Sequence, residues 1–343
     1  MQILMAGLGS AGQRHVRNLR TLFGDSVEIH AYRVRGLPRV IGADGGIAPG
    51  SVDATYGVRA FSSLDDALAA RPDAVFVTNP TDQHLRVAQA AAQAGCHLFL
   101  EKPVSHTLDG VDALLRTVAA RGLVATVGYQ FRLHPVFLAL RDLVAAQAVG
   151  RVLSARLDFG EYLPAWHPWE NYREMFHGQR ARGGGVILEQ SHDLDYACAL
   201  FGRPSQVTAV GGCSGELDID AEDTVDMLLT CGSLEAPIPV HLHQDMLRRP
   251  ATRTCAVTGT LGRIEADFMA GTVTITRPDG SIDAPHVAMV DRNALFLEEL
   301  RLFVRAIQGR GTPLVSLEEG VATLRVALAA HASLRVGEPV GVC

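Results

Sequence analysis

Three glycines near the start of the chain have the spacing of a turn that holds a dinucleotide. Gly7, Gly9 and Gly12 follow the apolar run 2–6 in the pattern G-x-G-x-x-G. The first glycine permits a tight turn, the second lets the backbone approach a pyrophosphate, and the third lets helix and strand pack closely. A helix predicted over 11–23 would point its N-terminal amides at the phosphates. The predicted cofactor-binding turn comprises Gly7, Gly9, Ser10, Ala11 and Gly12.

A lysine follows another predicted strand much later in the chain. Lys102, in Glu101-Lys102-Pro103, comes directly after the apolar run 97–100. Dinucleotides bind at the ends of such parallel strands. An ammonium there can hydrogen-bond the reacting oxygen and stabilise its developing negative charge. The two segments together predict nicotinamide redox chemistry, with Lys102 as one catalytic residue.

A histidine in the second half of the chain is the other candidate for proton transfer. His192 lies near the start of a predicted helix that follows three glycines at 183–185. Glu189 precedes it by three residues and Asp195 follows it by three. Residues at that spacing are neighbours on a helix, so either carboxylate can orient the imidazole. We expect His192 to act as the general acid or base.

The order of the predicted elements indicates the fold that positions these residues. Before residue 125 strands and helices alternate, which predicts a doubly wound parallel sheet. The strands are predicted at 2–6, 27–32, 58–61, 74–78, 97–100 and 123–127. The helices are predicted at 11–23, 63–70, 82–94 and 108–121. Residues 35–55 break the pattern and predict a long loop beside the adenosine end of the cofactor.

After residue 128 the strands follow one another directly, which predicts a mostly antiparallel sheet. These strands are predicted at 205–212, 224–231, 238–245, 253–259, 263–268 and 272–277. Helices are predicted at 135–146, 186–201, 294–308 and 317–335. We therefore expect an α/β Rossmann domain over residues 1–125. An α+β domain over residues 126–343, with a large, mostly antiparallel open sheet, would bind substrate and form oligomers.

Composition excludes several classes of function. Hydrophobic residues make up 48% of the 343, enough for two cores. A net charge of −6 gives no basic face for nucleic acid. No apolar stretch reaches the roughly 20 residues of a membrane span. The first strand begins at residue 2 without a signal sequence, so we expect a cytoplasmic protein. The six cysteines have no metal-type spacing and indicate reduced thiols.

The chain resembles the Gfo/Idh/MocA oxidoreductases, the family of glucose–fructose oxidoreductase and inositol dehydrogenase. The matching segments are GLGSAGQRHVRNL (7–19), TNPTDQH (78–84), EKP (101–103), GYQFRLHP (128–135), GGGVILEQSHDLDYACALFG (183–202) and VTGTLGRIEADF (257–268). It especially resembles members that carry a PWEDYR-like stretch, here residues 168–173, before a GGG…SHxxDY motif. The resemblance implies a Rossmann domain, a second domain with a large open sheet, and oxidation or reduction of a sugar or cyclitol carbon.

The resemblance also implies roles for single residues. Lys102 and His192 occupy the positions of the family's proton-handling residues. Members commonly carry an aspartate three or four residues before this histidine, whereas Glu189 stands here, which leaves its role open. Asn79, Pro80 and His84, together with Glu101, match the segments beside the nicotinamide ribose. The residues at 79, 80 and 84 also suit an ordinary turn and helix cap.

The end of the second strand bears on the choice of cofactor. Users of NAD commonly carry an acid there, which bonds the ribose 2′-hydroxyl. This chain has Ala31-Tyr32-Arg33-Val34-Arg35, without an acid. Arg33 can bind a 2′-phosphate, with Ser10 as a second donor, or it can stack on adenine with NAD as the cofactor. We expect NADP(H) to be favoured over NAD(H).

Several polar and aromatic residues are candidates for contact with substrate. Tyr129 and Arg132 follow the sixth strand and either reach the substrate or form a structural salt bridge. The stretch with Trp166, His167 and Tyr172 suits a sugar surface or a small core under a loop. The full set of substrate candidates is Tyr129, Arg132, Trp166, His167, Tyr172, Glu189 and Asp195.

These observations predict an NAD(P)-dependent oxidoreductase acting on a sugar, nucleotide sugar or cyclitol. We expect a homodimer or homotetramer that binds neither nucleic acid nor membrane. His241 and His243 alternate on one strand, but without a third ligand they predict no metal site. Two alternatives remain, namely a non-catalytic dinucleotide-binding sensor, and a dehydratase or epimerase that oxidises its substrate transiently without net redox change.

Overall fold

The computed structural model of the chain describes residues 1–34, 39–42 and 45–342. The chain divides into two compact units, each with its own large sheet. The first comprises Met1–Tyr129 with Arg292–Val321, and the second comprises Gln130–Asp291 with Ala322–Cys343.

The first unit has a six-stranded parallel sheet in the order β5-β2-β1-β6-β7-β8. The strands up to β8 are β1 Gln2–Ala6, β2 Glu28–Tyr32, β3 Val40–Ile41, β4 Ile47–Ala48, β5 Arg59–Phe61, β6 Ala74–Val77, β7 His97–Leu100 and β8 Ala125–Val127. The helices of this stretch are α1 Ser10–Phe23, α2 Val52–Tyr56, α3 Leu64–Ala69, α4 Thr81–Ala94 and α5 Val111–Ala120. The predicted doubly wound α/β architecture is confirmed.

Apolar packing on the sheet fixes the first unit. Phe76 of β6 stacks on Phe99 of β7 with ring centroids 4.8 Å apart, and Phe303 meets both rings edge-on at 5.6 Å. Phe303 lies on a helix, Arg292–Ile307, that also packs against α1. There the side-chain amides of Asn18 and Asn293 bond each other at 2.9 and 3.0 Å. The helix that begins at the glycine turn is therefore held on two sides.

The second unit has a nine-stranded sheet in which only β9 and β12 are parallel neighbours among the described strands. Its order is β16-β15-β14-β13-β9-β12-β11-β10-β17. The strands are β9 Val152–Gly160, β10 Gln206–Gly212, β11 Thr224–Gly232, β12 Pro237–Asp245, β13 Thr252–Gly259, β14 Gly262–Asp267, β15 Thr272–Thr276, β16 Ile282–Asp283 and β17 Val340–Gly341. The later helices of the chain are α6 Pro135–Ala145, α7 Val186–Glu189, α8 Ser191–Phe201, α9 Arg292–Ile307 and α10 Leu317–Val336. The predicted mostly antiparallel sheet is confirmed.

The prediction of one continuous helix over 186–201 is wrong, because the helix is interrupted at Gln190. There the backbone leaves the helical region (φ −106°, ψ 33°), and α7 ends before α8 begins. The Gln190 carbonyl accepts a bond from the Gln244 side chain at 2.7 Å and from Asp193 N at 3.2 Å. These bonds replace the regular helical one. His192 consequently lies in the first turn of α8.

The loop predicted over 35–55 is also wrong in part. Val40–Ile41 and Ile47–Ala48 pair as a short antiparallel ribbon, and α2 begins at Val52. Ser51 accepts the Ala54 N–H as the N-cap of α2, while Val52 is buried in the core. The parts of this loop at 35–38 and 43–44 lie outside the described residues. Within the described ranges, no helix has the length and apolar character to cross a membrane.

Candidate functional site

The glycine turn has the geometry that its spacing predicts. Gly7 has a φ of +107°, and a Cβ there would lie 2.8 Å from Asn79 N. A Cβ on Gly12 would overlap the Gly7 carbonyl oxygen and lie 2.9 Å from Thr78 Oγ1. A Cβ on Gly9 would meet no atom within 4 Å. Two glycines thus permit close packing, and the third leaves the backbone accessible.

The start of α1 suits a negatively charged ligand. Gly9 is its N-cap and supplies no side chain to cap the first amides. The first turn of α1 also contains no acidic residue. Helix N-termini carry unsatisfied amides and a partial positive charge, which bind phosphate groups. The open space at Gly9 and this helix start together fit a dinucleotide pyrophosphate.

Arg33 follows β2, as predicted, but its guanidinium forms an ion pair with Asp53 of α2. The Arg33 side chain is only 10% exposed, whereas that of Asp53 is 49% exposed. No acid follows β2 in the sequence, but the fold brings Asp53 there from α2.

His84 connects the segments that follow β6 and β7. Its Nε2 lies 2.7 Å from the Asn79 carbonyl oxygen, and its Nδ1 lies 2.8 Å from that of Pro103. The side chain is buried, and α4, on which it lies, begins after Pro80. Asn79 Oδ1 is buried without a hydrogen-bond partner in the described part of the chain. The loop therefore has a polar atom available beside the glycine turn.

Glu101 is held by a histidine from α1. His15 Nε2 lies 2.7 Å from Glu101 Oε1, and the His15 ring packs on Phe99 at 4.9 Å. Burial raises the pKa of Glu101, but the bond to His15 and the charges of His15, Lys102 and Arg14 outweigh it. The pKa of Glu101 therefore lies below its ordinary value.

Lys102 is the only lysine in the sequence, since every other member of its 31 Lys and Arg residues is an arginine. It is partly exposed, next to the anchored Glu101. A lysine ammonium is a compact point charge with three donors that can turn toward a ligand atom. Lys102 places this group at the end of β7.

In the second unit, a charge pair supports the helix that carries His192. Arg132 donates two hydrogen bonds to the Asp195 carboxylate, from Nε at 2.6 Å and from Nη2 at 3.0 Å. His192 is 7% exposed, and its ring meets Phe131 edge-on at 5.0 Å. The structure thus pairs two of the predicted substrate residues, Asp195 of α8 and Arg132 of the 3₁₀ turn Gln130–Leu133.

A buried arginine lies behind this helix turn. The Arg253 guanidinium lies over the rings of Phe131 and Phe159, at 4.1 and 4.5 Å from their centroids. Its Nε is 3.3 Å from Asp193, which is fully buried and bonded to Tyr196. Burial raises the pKa of Asp193, and the charge of Arg253 offsets this only in part. The network fixes Asp193, the residue after His192 in the first turn of α8.

Trp166 and His167 of the predicted aromatic stretch contact His177, a histidine that is not among the predicted site residues. His177 Nδ1 lies 2.9 Å from Glu189 Oε2, with both side chains largely buried. The His177 ring lies 5.7 Å from that of Trp166 and 5.5 Å from that of His167. Trp166 Nε1 is buried without a hydrogen-bond partner in the described residues. A donor and a carboxylate suited to sugar hydroxyls therefore occur in one cluster.

The remaining candidates occupy different surroundings. Tyr129 is fully buried in the first unit. The Tyr172 ring lies under the Arg173 guanidinium at 4.5 Å, in the same connection as Trp166. His241 and His243 each lie 3.0 Å from Asp226. Across the described ranges, no group of three or more His, Cys, Asp or Glu side chains is arranged to hold a metal ion.

Comparison with known proteins identifies the family. A model of an oxidoreductase family with an NAD-binding Rossmann fold matches residues 1–129, and one of the GFO/IDH/MocA C-terminal domain matches residues 137–265. The chain is 29% identical to 1,5-anhydro-D-fructose reductase of Ensifer adhaerens over 276 residues, 78% of each chain. It is 25% identical to myo-inositol 2-dehydrogenase of Thermotoga maritima over 97% of this chain and 96% of the relative.

A solved structure is similar over nearly the whole chain. The WlbA dehydrogenase from Bordetella pertussis, in complex with NADH and UDP-GlcNAcA, has a TM-score of 0.80 at 21% identity. The match covers 100% of this chain and 99% of that one. This likeness shows a shared fold. With both family models matched, the chain belongs to the GFO/IDH/MocA oxidoreductases, and residues 1–129 match their NAD-binding Rossmann domain.

Proposed function

We propose that this oxidoreductase transfers a hydride between a nicotinamide cofactor and a carbon of a sugar, nucleotide sugar or cyclitol. The observation that carries the proposal is the pairing of a glycine turn fitted to a pyrophosphate with Lys102 at the end of β7 in the same sheet. The bound nicotinamide would supply the hydride chemistry. The relatives named for an anhydrofructose and an inositol support this substrate class, and the similar WlbA structure contains UDP-GlcNAcA.

Lys102 would hold the reacting oxygen. Its ammonium hydrogen-bonds a carbonyl or hydroxyl and stabilises the negative charge that develops there. The bond of Glu101 to His15 and the bond of Pro103 to His84 restrain the residues on both sides of Lys102. An amine restrained in this way reaches its reactive position with little further ordering.

His192 would take up or deliver the proton of the same oxygen. Its ring is restrained by Phe131, and its helix turn is fixed through the buried pair of Asp193 with Arg253. Asp193 and Arg253 are paired with each other, so the helix turn that carries the imidazole has no isolated buried charge.

The substrate would be bound by polar and aromatic groups of the second unit. Trp166 Nε1 can donate to a sugar hydroxyl, and Glu189, paired with His177, can accept from one. This gives Glu189 a role in substrate binding. Tyr129, Arg132, His167, Tyr172 and Asp195 remain proposed substrate-site residues on the sequence pattern.

NADP(H) is the proposed preferred cofactor. Arg33 and Ser10 would bind the 2′-phosphate through charge-assisted contacts worth on the order of 1.5–3 kcal/mol. Gly7, Gly9, Ala11 and Gly12 would hold the pyrophosphate. Asn79, Pro80, His84 and Glu101 would line the nicotinamide ribose.

A homodimer or homotetramer is also proposed. Val210 and Leu228 lie on neighbouring strands of the large sheet and are 70% and 47% exposed. Apolar side chains exposed on a sheet face favour contact with a second copy. Light scattering at micromolar concentration tests this, and a monodisperse monomer would contradict it.

The function is tested by following nicotinamide absorbance. The protein is incubated with NADPH or NADH and 1,5-anhydro-D-fructose, and with the oxidised cofactors and myo-inositol or UDP-N-acetylglucosamine. We expect a cofactor-dependent absorbance change with at least one compound of this class. Tight cofactor binding with no change across a wide panel would instead favour the sensor. Substrate conversion without net redox change would indicate the dehydratase or epimerase.

A further inference from the structure

The acid that meets Arg33 is positioned by the fold of α2. Asp53 is the second residue of this helix, after the N-cap Ser51. Its carbonyl accepts the amides of Gly57 and Val58, at 3.2 Å for Val58, so the helix turn is closed around it. Val52, its neighbour, is 1% exposed in the core of the first unit. The backbone that carries the Asp53 carboxylate is therefore well defined.

The pairing changes what Arg33 offers a ligand. The Arg33 side chain is nine-tenths buried, and Asp53 already neutralises part of its charge. A 2′-phosphate that binds Arg33 must approach the Asp53 carboxylate or displace it. The phosphate and the carboxylate are both negatively charged, so they repel each other when they share one guanidinium. A 2′-hydroxyl meets no such repulsion, because it can donate a hydrogen bond to the carboxylate. The ion pair thus opposes the phosphate and tolerates the hydroxyl.

We propose that Asp53 determines how strongly the protein distinguishes NADP(H) from NAD(H), by holding Arg33 and repelling the 2′-phosphate. It rests on the proposed binding of the 2′-phosphate by Arg33. Asp53 is a second residue there, and it weakens the binding that Arg33 strengthens. Selectivity then arises from two opposed charges, and the preference for NADP(H) is smaller than Arg33 alone would give.

The test measures cofactor binding rather than activity. Dissociation constants for NADPH and NADH are determined by nicotinamide fluorescence for the wild type, Asp53→Asn and Asp53→Glu. Asp65→Asn is the matched control, since Asp65 is also the second residue of a helix whose N-cap is a serine, Ser63. We expect Asp53→Asn to raise the preference for NADPH over NADH about tenfold, a value that allows for solvent screening of a half-exposed carboxylate. Asp53→Glu and Asp65→Asn should keep the wild-type preference.

The outcomes separate this inference from the proposed function. If Asp53→Asn, with a wild-type unfolding transition, keeps the wild-type ratio of the two constants, the inference is wrong while the proposed function stands. If Asp53→Asn does not fold, Asp53→Ser provides the same comparison. Arg33→Ala tests the underlying role, because it should lower the NADPH preference in the Asp53→Asn background. An unchanged ratio there, or a wild type that binds neither cofactor, would overturn the proposed role of Arg33 and this inference with it.

Discussion

The imidazole of His15 lies 2.7 Å from the carboxylate of Glu101, and this contact joins the two motifs on which the function depends. His15 is on the helix that begins at the glycine turn, while Glu101 directly precedes Lys102. The contact therefore ties the position of Lys102 to the helix proposed to bind the pyrophosphate.

This contact predicts a pH dependence of stability. The pKa of Glu101 is lowered in the folded protein, so its ionised form contributes stability that is fully present above the ordinary glutamate range. That contribution is lost as the pH falls through the lowered pKa. Glu101→Gln should reduce the free energy of unfolding at neutral pH and weaken its decline at acidic pH. Denaturant titrations across a pH series measure both effects, and an unchanged acid decline in Glu101→Gln would contradict the assignment.

The glycine turn predicts that two alanine substitutions affect different properties, one the stability of the fold and the other the affinity for NADPH. Gly12→Ala places a Cβ against the Gly7 carbonyl and should destabilise the fold by about 1–3 kcal/mol. Gly9→Ala enters open space at a φ of −70° and should leave the unfolding transition nearly unchanged. It should nevertheless weaken NADPH binding at least about tenfold, because the methyl group occupies the path of the pyrophosphate. Thermal unfolding and fluorescence titration measure the pair. Normal NADPH affinity in Gly9→Ala would show that phosphates bind elsewhere.

Removing Arg253 from its buried ion pair with Asp193 should strongly reduce the free energy of unfolding. Arg253→Met leaves the buried Asp193 without its cation and should cost about 3–5 kcal/mol of unfolding free energy. Arg263→Met is the matched control, because Arg263 pairs with Glu265 where both side chains are about half exposed. That change should cost at most about 1 kcal/mol. Equal losses for the two variants in urea denaturation would refute the structural role of the buried pair.

The parallel sheet is predictable because its strands are short apolar runs bounded by turn residues. β1, β6 and β7 are buried on both faces, so their sequences are almost uninterrupted hydrophobic stretches. No strand is predicted at β9, although it lies between β12 and β13 in the large sheet. Its buried Ala155, Leu157 and Phe159 alternate with Arg156 and Asp158, which is the pattern of a strand with one buried face. The sequence therefore indicates β9, and the prediction omits it.

Contacts between residues far apart in the chain are the part of the site that could not be predicted from the sequence. Asp53 reaches Arg33 from a different element, and His177 reaches Glu189 from a series of short 3₁₀ turns. No helical or strand periodicity relates these positions, so neither pair follows from spacing. Lys102 and His192 could be proposed because each stands in a recognisable local motif.

The turnover of Lys102→Ala, measured together with its affinity for NADPH, tests the proposed mechanism. The substrate is whichever compound of the absorbance panel the wild type converts fastest. Because Lys102 acts on charge that develops in the transition state, kcat should fall by roughly 10²–10³-fold while the NADPH dissociation constant stays within about twofold. Near-normal turnover in Lys102→Ala would contradict the proposed mechanism.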